Sequence, residues 1–223
     1  MRKILSHVRA AVDDYKMINE GDKIAVGVSG GKDSLLLLKA LCELKRFYPN
    51  KFQIVALTLD MRFNKEAGDF SQIRKMCDEY GVEYIVKPTD LYEIIFEVRK
   101  EENPCALCAR MRRGILHDTA KSMGCNKIAL GHHMDDILET LLMNITFQGA
   151  FSTMPPRLVM NKFDMTIIRP MCLVHESDLE EMASVRGFKK QIKNCPYETQ
   201  SNRTDMKGVL KQLEALNPEA RYS

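Results

Sequence analysis

The ten residues Val26–Leu35, VGVSGGKDSL, set two adjacent glycines, two serines, a lysine and an aspartate between two apolar runs. An apolar strand that opens into bare backbone and then into a leucine-rich helix is how a parallel α/β sheet builds an anion site. Ligands collect at the carboxyl ends of such strands, where helix N-termini point outward. Gly30 and Gly31 let backbone N–H groups approach an anion closely, and the helix dipole favours negative charge by about 0.3–1 kcal/mol. Ser29 and Ser34 supply hydroxyl donors, and Lys32 is a point charge suited to phosphate. Asp33 would be repelled by a phosphate unless a cation bridges them, which assigns it to Mg2+.

The flanking sequence repeats the same unit. Short apolar runs at 24–28, 53–59, 82–86, 127–130 and 166–169 read as strands, and helical patterns lie between them at about 34–46, 70–80, 91–100, 110–123 and 135–147. The expected fold is therefore α/β: one doubly wound domain with a mainly parallel sheet of five strands and helices on both faces. An amphipathic helix at about 1–18 precedes it, and a helical tail occupies about 177–223, with helices from about 177 and about 204. Neither an internal repeat nor a linker between two cores is visible, so residues 1–223 read as a single domain.

Composition narrows the class. The chain has 223 residues, 45% hydrophobic and 28% charged, which is ordinary for a globular protein able to bury a core. No apolar run approaches the roughly 18 residues of a membrane span, and charges interrupt the N-terminus where a signal peptide would be apolar. The expected location is cytoplasmic, with no membrane partner. A net charge of +3 does not by itself advertise nucleic-acid binding. Seven cysteines in a chain without secretion signals argue against a disulfide framework and turn attention to metal or redox chemistry.

Spacing excludes two phosphate motifs. In a Walker A loop Gly-Lys is followed by Ser or Thr, whereas Gly31-Lys32 is followed by Asp33, and Gly-x-Gly-x-x-Gly is absent near the first strand. Ser-Gly-Gly-Lys-Asp-Ser after an apolar strand resembles the pyrophosphate loop of the ATP pyrophosphatase superfamily. The resemblance implies an adenine nucleotide alpha hydrolase-like fold, ATP binding, transfer of AMP to a substrate oxygen and release of pyrophosphate. It also implies an acidic residue near the nucleotide at Asp60, although an aspartate capping its own loop is an equal reading. A second strand end, Ala129-Leu-Gly-His-His-Met-Asp-Asp136, adds Gly131, His132 and His133, with Asp135 or Asp136 beginning a helix. Beside a triphosphate, Asp135 suits a second Mg2+ ligand, and His132 or His133 a hydrogen bond to phosphate or to an adenylated intermediate.

Cys105-Ala-Leu-Cys108 stands at the start of a helix, where thiol pKa falls and redox exchange or metal ligation becomes possible. No second Cys-x-x-Cys completes a zinc site. Cys195, in a loop, is the best third ligand and Cys172 a reserve, while Cys42, Cys77 and Cys125 read as buried small hydrophobes. SGGKDS, CALCARMRRGIL, IALGHHMDDILET, MPPRL and IIRP, in that order, resemble the tRNA 2-thiocytidine-type sulfurtransferases. That resemblance implies a 4Fe-4S cluster on Cys105, Cys108 and Cys195, with Lys32, Cys105, Cys108 and Asp135 serving catalysis. ATP would then be held by Ser29, Gly30, Gly31, Lys32, Asp33, Ser34, Asp60, Gly131, His132 and Asp136. It further implies tRNA as substrate, a cysteine desulfurase or sulfide as sulfur donor, and a homodimer. The chain departs from that family at Met134, where a basic residue is usual, in the loop Met61-Arg62-Phe63, and in having Pro196-Tyr197 after Cys195. Two alternatives stay open: a lysidine-type or amide-forming adenylating enzyme with a nitrogen nucleophile, which gives Cys105 and Cys108 no role, and a non-catalytic ATP-binding module. A metal-free dithiol route through Cys108 and Cys195 stays open too. Arg110, Arg112 and Arg113, with Lys189, Lys190 and Lys193, could track an RNA backbone or simply form solvated faces.

Overall fold

Strand β1 (Lys23–Gly27) alternates Ile24 and Val26 on one side with Ala25 on the other, and every one of the three is buried. A strand apolar on both sides must be covered on both, which is the condition of a central strand in a doubly wound sheet. A computed structural model describes residues 1–62, 67–99, 104–188 and 203–222 and shows this arrangement. The sheet order is β3-β2-β1-β4-β6-β5, from β2 (Gln53–Asp60), β3 (Glu83–Pro88), β4 (Lys127–Ala129), β5 (Arg157–Met160) and β6 (Met165–Ile168). All neighbours pair in parallel except β5 with β6.

One face is covered by α1 (Arg2–Asp14), α2 (Lys32–Lys45), α3 (Ser71–Tyr80) and α6 (Glu176–Arg186), whose apolar residues join Ile24, Val26, Ile54 and Ala56 in one core. Helix α2 buries Leu35–Leu38, Ala40, Leu41 and Leu44, almost its whole circumference, because it is sandwiched between α1, α6 and the sheet. On the opposite face α4 (Pro104–Ser122) sets Ala120 against Ala25, Val55 and Ile128. Helix α7 (Arg203–Leu216) packs on α5 (Met134–Gln148). No helix among the described residues is long and apolar enough to cross a membrane.

The sheet has six strands where the sequence predicts five. The extra strand, β5, follows Pro155-Pro156 and is exposed over Arg157–Val159, so it carries no two-fold burial pattern to betray it. It exists because β6 offers it an edge, and the Arg169 N–H bonding the Pro156 carbonyl at 2.8 Å continues the pairing beyond the strand. Two helices also differ from expectation. The segment Glu93–Arg99 winds as a π-helix, and α4 already includes Pro104–Ala109, ahead of the predicted 110, so Cys105 and Cys108 lie on it one turn apart.

Candidate active site

Strand order reverses between β1 and β4, so the loops leaving these two strands part and open a crevice at the carboxyl edge of the sheet. Both sequence motifs lie there. Gly30 takes φ +79°, a conformation that favours glycine, and turns the chain from β1 into α2. The Ser34 hydroxyl donates to the Gly31 carbonyl at 2.9 Å and accepts from the Ser29 N–H at 3.1 Å, closing the loop on itself. Across the crevice, a Cβ on Gly131 would lie 3.2–3.3 Å from backbone atoms of Asp33 and Ser34. Only glycine lets the end of β4 approach the loop this closely.

The charged groups interlock. Lys32 Nζ lies 3.0 Å from Asp33 Oδ1 and 3.4 Å from Glu176 Oε1. Burial opposes its charge, but the two carboxylates outweigh burial and raise its pKa. The Glu176 N–H, at the start of α6, donates to Asp135 Oδ2 at 2.8 Å, and Arg221 Nη1 donates to Asp135 Oδ1. Burial pushes the Asp135 carboxyl up, yet His133, Arg221 and that N–H together hold it well below the usual range. Asp136 accepts from the His133 N–H at 3.1 Å, fixing the first turn of α5, and pairs with Arg203 at 2.6 Å. The adjacent histidines diverge. Burial depresses His132 to about 4, whereas at His133 the carboxylates of Asp135, Asp136 and Asp33 overcome burial and raise the pKa.

The remaining predicted residues fare differently. Asp60 is buried at the end of β2, where its carboxylate accepts from the N–H groups of Arg62 at 3.0 Å and Gly68 at 3.4 Å. It organises its own loop, as the capping alternative supposes. Cys105 is exposed and Cys108 half-buried, one helical turn apart on α4. Cys42, Cys77, Cys125 and Cys172 are buried as small hydrophobes, and burial pushes the Cys42 thiol up to about 12 and Cys77 and Cys172 to about 11. Cys195, Lys189, Lys190, Lys193, Phe63, Pro196 and Tyr197 lie outside the described residues. Arg110, Arg112 and Arg113 are exposed on α4.

Sequence reading missed Glu139, Glu176, Arg203, Lys207 and Arg221, and gave Arg169 no role. Glu139 is 2% exposed in α5, and burial raises its pKa. Its Oε1 has no hydrogen-bond partner among the described residues. Glu176 alone left a local signal, a carboxylate in the first turn of a helix that follows His175.

The chain is similar to several known proteins. The family model described as the PP-loop domain matches residues 3–194. The tRNA-cytidine(32) 2-sulfurtransferases of Syntrophotalea carbinolica and Geobacter metallireducens are each 41% identical over 225 aligned positions, covering all of this chain and 86% and 87% of theirs. Among solved structures, the U34-tRNA thiolase NcsA from Methanococcus maripaludis, with its 4Fe-4S cluster, aligns with a TM-score of 0.78 and 26% identity. That alignment covers all of this chain and 76% of NcsA. The NH3-dependent NAD synthetase of Campylobacter jejuni, 16% identical with a TM-score of 0.53, covers 99% of this chain and 90% of its own, and shares the fold. With its loop, crevice and nearly complete family match in agreement, this chain belongs to the PP-loop domain family.

Proposed function

We propose that this chain is an ATP-dependent sulfurtransferase that converts a cytidine of tRNA to 2-thiocytidine. One observation carries the reading: Gly131 brings the end of β4 within contact of the Ser29–Ser34 loop, joining a phosphate cradle to a buried acidic face. The names of the relatives support the substrate. Residues 1–223 act as one catalytic domain, since the tail returns Arg221 to Asp135.

Ser29, Gly30, Gly31 and Ser34 hold the phosphates of ATP, with Lys32 offsetting the charge that grows on them. Gly131, His132 and Asp136 border the nucleotide from the opposite wall, and Asp60 shapes the loop beside it. Asp33 and Asp135 are suited to Mg2+, which would neutralise phosphate charge when bound. The carbonyl oxygen of the base attacks the α-phosphorus and pyrophosphate leaves. A sulfide-level sulfur nucleophile then adds at the same carbon, and AMP departs with the former carbonyl oxygen. Lys32 stabilises the first of these steps directly, and Asp135 would do so only by holding Mg2+.

The donor set fits an iron–sulfur group at one place among the described residues. Cys105 is exposed and Cys108 half-buried in α4, whereas the other four described thiols are buried, each raised in pKa by that burial. Cys105, Cys108 and Cys195 would hold a 4Fe-4S cluster, which when bound supplies an open iron position able to accept sulfide. Arg110, Arg112 and Arg113 contact the tRNA backbone. A cysteine desulfurase or free sulfide donates the sulfur. The exposed Leu158 and Val159 on edge strand β5 support a homodimer, and the cytoplasm is the compartment that keeps these thiols reduced.

Nucleoside mass spectrometry of bulk tRNA from cells with and without the gene tests the function. Loss of 2-thiocytidine is expected, and the persistence of every thionucleoside would remove tRNA as the substrate. A Cys105→Ser variant that still thiolates at the normal rate would instead remove Cys105 from the sulfur-transfer step.

A further inference from the structure

Strands β4 and β6 run in parallel with Ala129 beside Ile168, so the residues beyond their ends emerge together at the crevice. There Arg169 Nε donates to His132 Nδ1 at 3.3 Å. Arg169 is 7% exposed and is held in place by its Nη1 donating to the Pro155 carbonyl. A guanidinium has donors only and keeps its proton, so the imidazole nitrogen facing it must be the acceptor. A neutral ring that accepts at Nδ1 carries its proton on Nε2.

We propose that Arg169 is a positioning residue that fixes His132 as a neutral Nε2–H donor for a phosphate oxygen of the bound nucleotide. The surroundings agree with a neutral ring. Asp136 on α5 favours protonation, while Arg169 beyond β6, Arg203 on α7 and His133 oppose it, and burial is the largest influence, leaving the ring near 4. His132 is therefore uncharged throughout the range in which an ordinary histidine titrates. It supplies a directed donor without adding the positive charge that Lys32 already provides. The ligand rests on the adenylation reading above; the pairing of Arg169 with His132 does not.

The first test is nitrogen-15 NMR of the histidine rings in the full chain without nucleotide, from pH 5.5 to 8. The Nε2–H tautomer at His132 with no titration is expected, and an Nδ1–H tautomer or a transition near 6.5 would overturn the proposal. The second test is ATP–pyrophosphate exchange in the presence of tRNA. His132→Gln, which keeps an amide N–H at the Nε2 position, should stay within roughly tenfold of wild type. His132→Asn should lose about a hundred- to a thousandfold, the cost of one oxyanion donor. Arg169→Met should cost at least about tenfold in the wild-type background and almost nothing beside His132→Gln, because the two residues act as one unit. An equal loss in both backgrounds would make Arg169 merely structural. Arg169→Lys, which keeps a cationic donor, should retain the tautomer and guards against a variant that fails to fold. Absence of exchange in the wild-type chain with the Nε2–H tautomer intact would overturn the adenylation reading and leave the pairing standing.

Discussion

At the amino ends of β1 and β4, Lys127 Nζ sits 2.6 Å from Asp22 Oδ2, each side chain 4% exposed. Lys127 also donates to the Met17 carbonyl, and Asp22 accepts from Asn126 Nδ2 and the Asn19 N–H, all within 2.6–2.8 Å. A cavity of about 230 Å3 lies beside them, yet Asp22 and Lys127 on its wall are already bonded to one another. At the carboxyl ends of the same strands the charges are more numerous and less content. Lys32 is shared between two carboxylates at 3.0 and 3.4 Å, and Glu139 Oε1 and His133 Nδ1 lack hydrogen-bond partners among the described residues. Buried polar atoms left unpaired cost free energy, so a fold tolerates them where something else is to arrive. One edge of the sheet uses charge to close the structure, and the other keeps it ready for a ligand.

The closed edge should give the largest stability effect. Lys127→Ala leaves the Asp22 carboxylate buried without its cation, which costs about 3–5 kcal/mol. Calorimetry should record a drop in melting temperature of roughly 10 °C, given the chain's size. The rate of ATP–pyrophosphate exchange per folded molecule should be unchanged, since nothing at that edge touches the phosphate loop. An exchange defect as large as the stability defect would erase the distinction between the two edges.

The open edge should respond the other way round. Lys32→Met removes the cation facing the phosphates and should lower exchange by about a hundred- to a thousandfold, with little change in melting. Loss of melting temperature with exchange preserved would make Lys32 a structural ion pair with Asp33 and Glu176.

These contrasts also explain what could be read from the sequence. The Ser29–Ser34 loop and the Gly131–Asp136 segment were legible because each is a local event, an apolar strand running into glycine and then into a helix. Strand β5 was not, because three of its four residues face solvent and only β6 makes them a strand. Arg203 and Arg221 reach carboxylates 67 and 86 residues earlier in the chain, and no local pattern encodes such a meeting. The cysteines lay between these cases. Burial of Cys42 and Cys77 followed from their helical surroundings, while the exposure of Cys105 depends on where α4 begins.

A glycine pair refines the comparison at smaller amplitude. Gly131→Ala forces a Cβ to within 3.2–3.3 Å of the Asp33 and Ser34 backbone, so β4 and the loop must separate by a few tenths of an ångström. Catalysis depends on such spacing, and exchange should fall by roughly ten- to a hundredfold, with a raised KM for ATP. Gly208→Ala in α7 meets nothing within 4 Å and should stabilise the chain by up to about 1 kcal/mol through helix propensity alone. If the two substitutions gave equal kinetics, close approach at Gly131 would have no bearing on the site.

The smallest effect separates the edges by their response to salt. Lys207 Nζ lies 2.7 Å from Glu176 Oε2, with the lysine side chain 45% exposed, so water and ions reach the pair. Lys207→Met should cost no more than about 1 kcal/mol at low ionic strength. At 1 M salt the screening length falls to about 3 Å, and the difference from wild type should vanish. The Asp22–Lys127 pair is sealed from the solvent, and the cost of Lys127→Ala should therefore persist at the same salt concentration. Urea titrations of both variants at low and high salt decide the matter. A Lys207 effect that survives salt would mean that Glu176 is held as tightly as Asp22, and the edge described as open would then be as closed as the other.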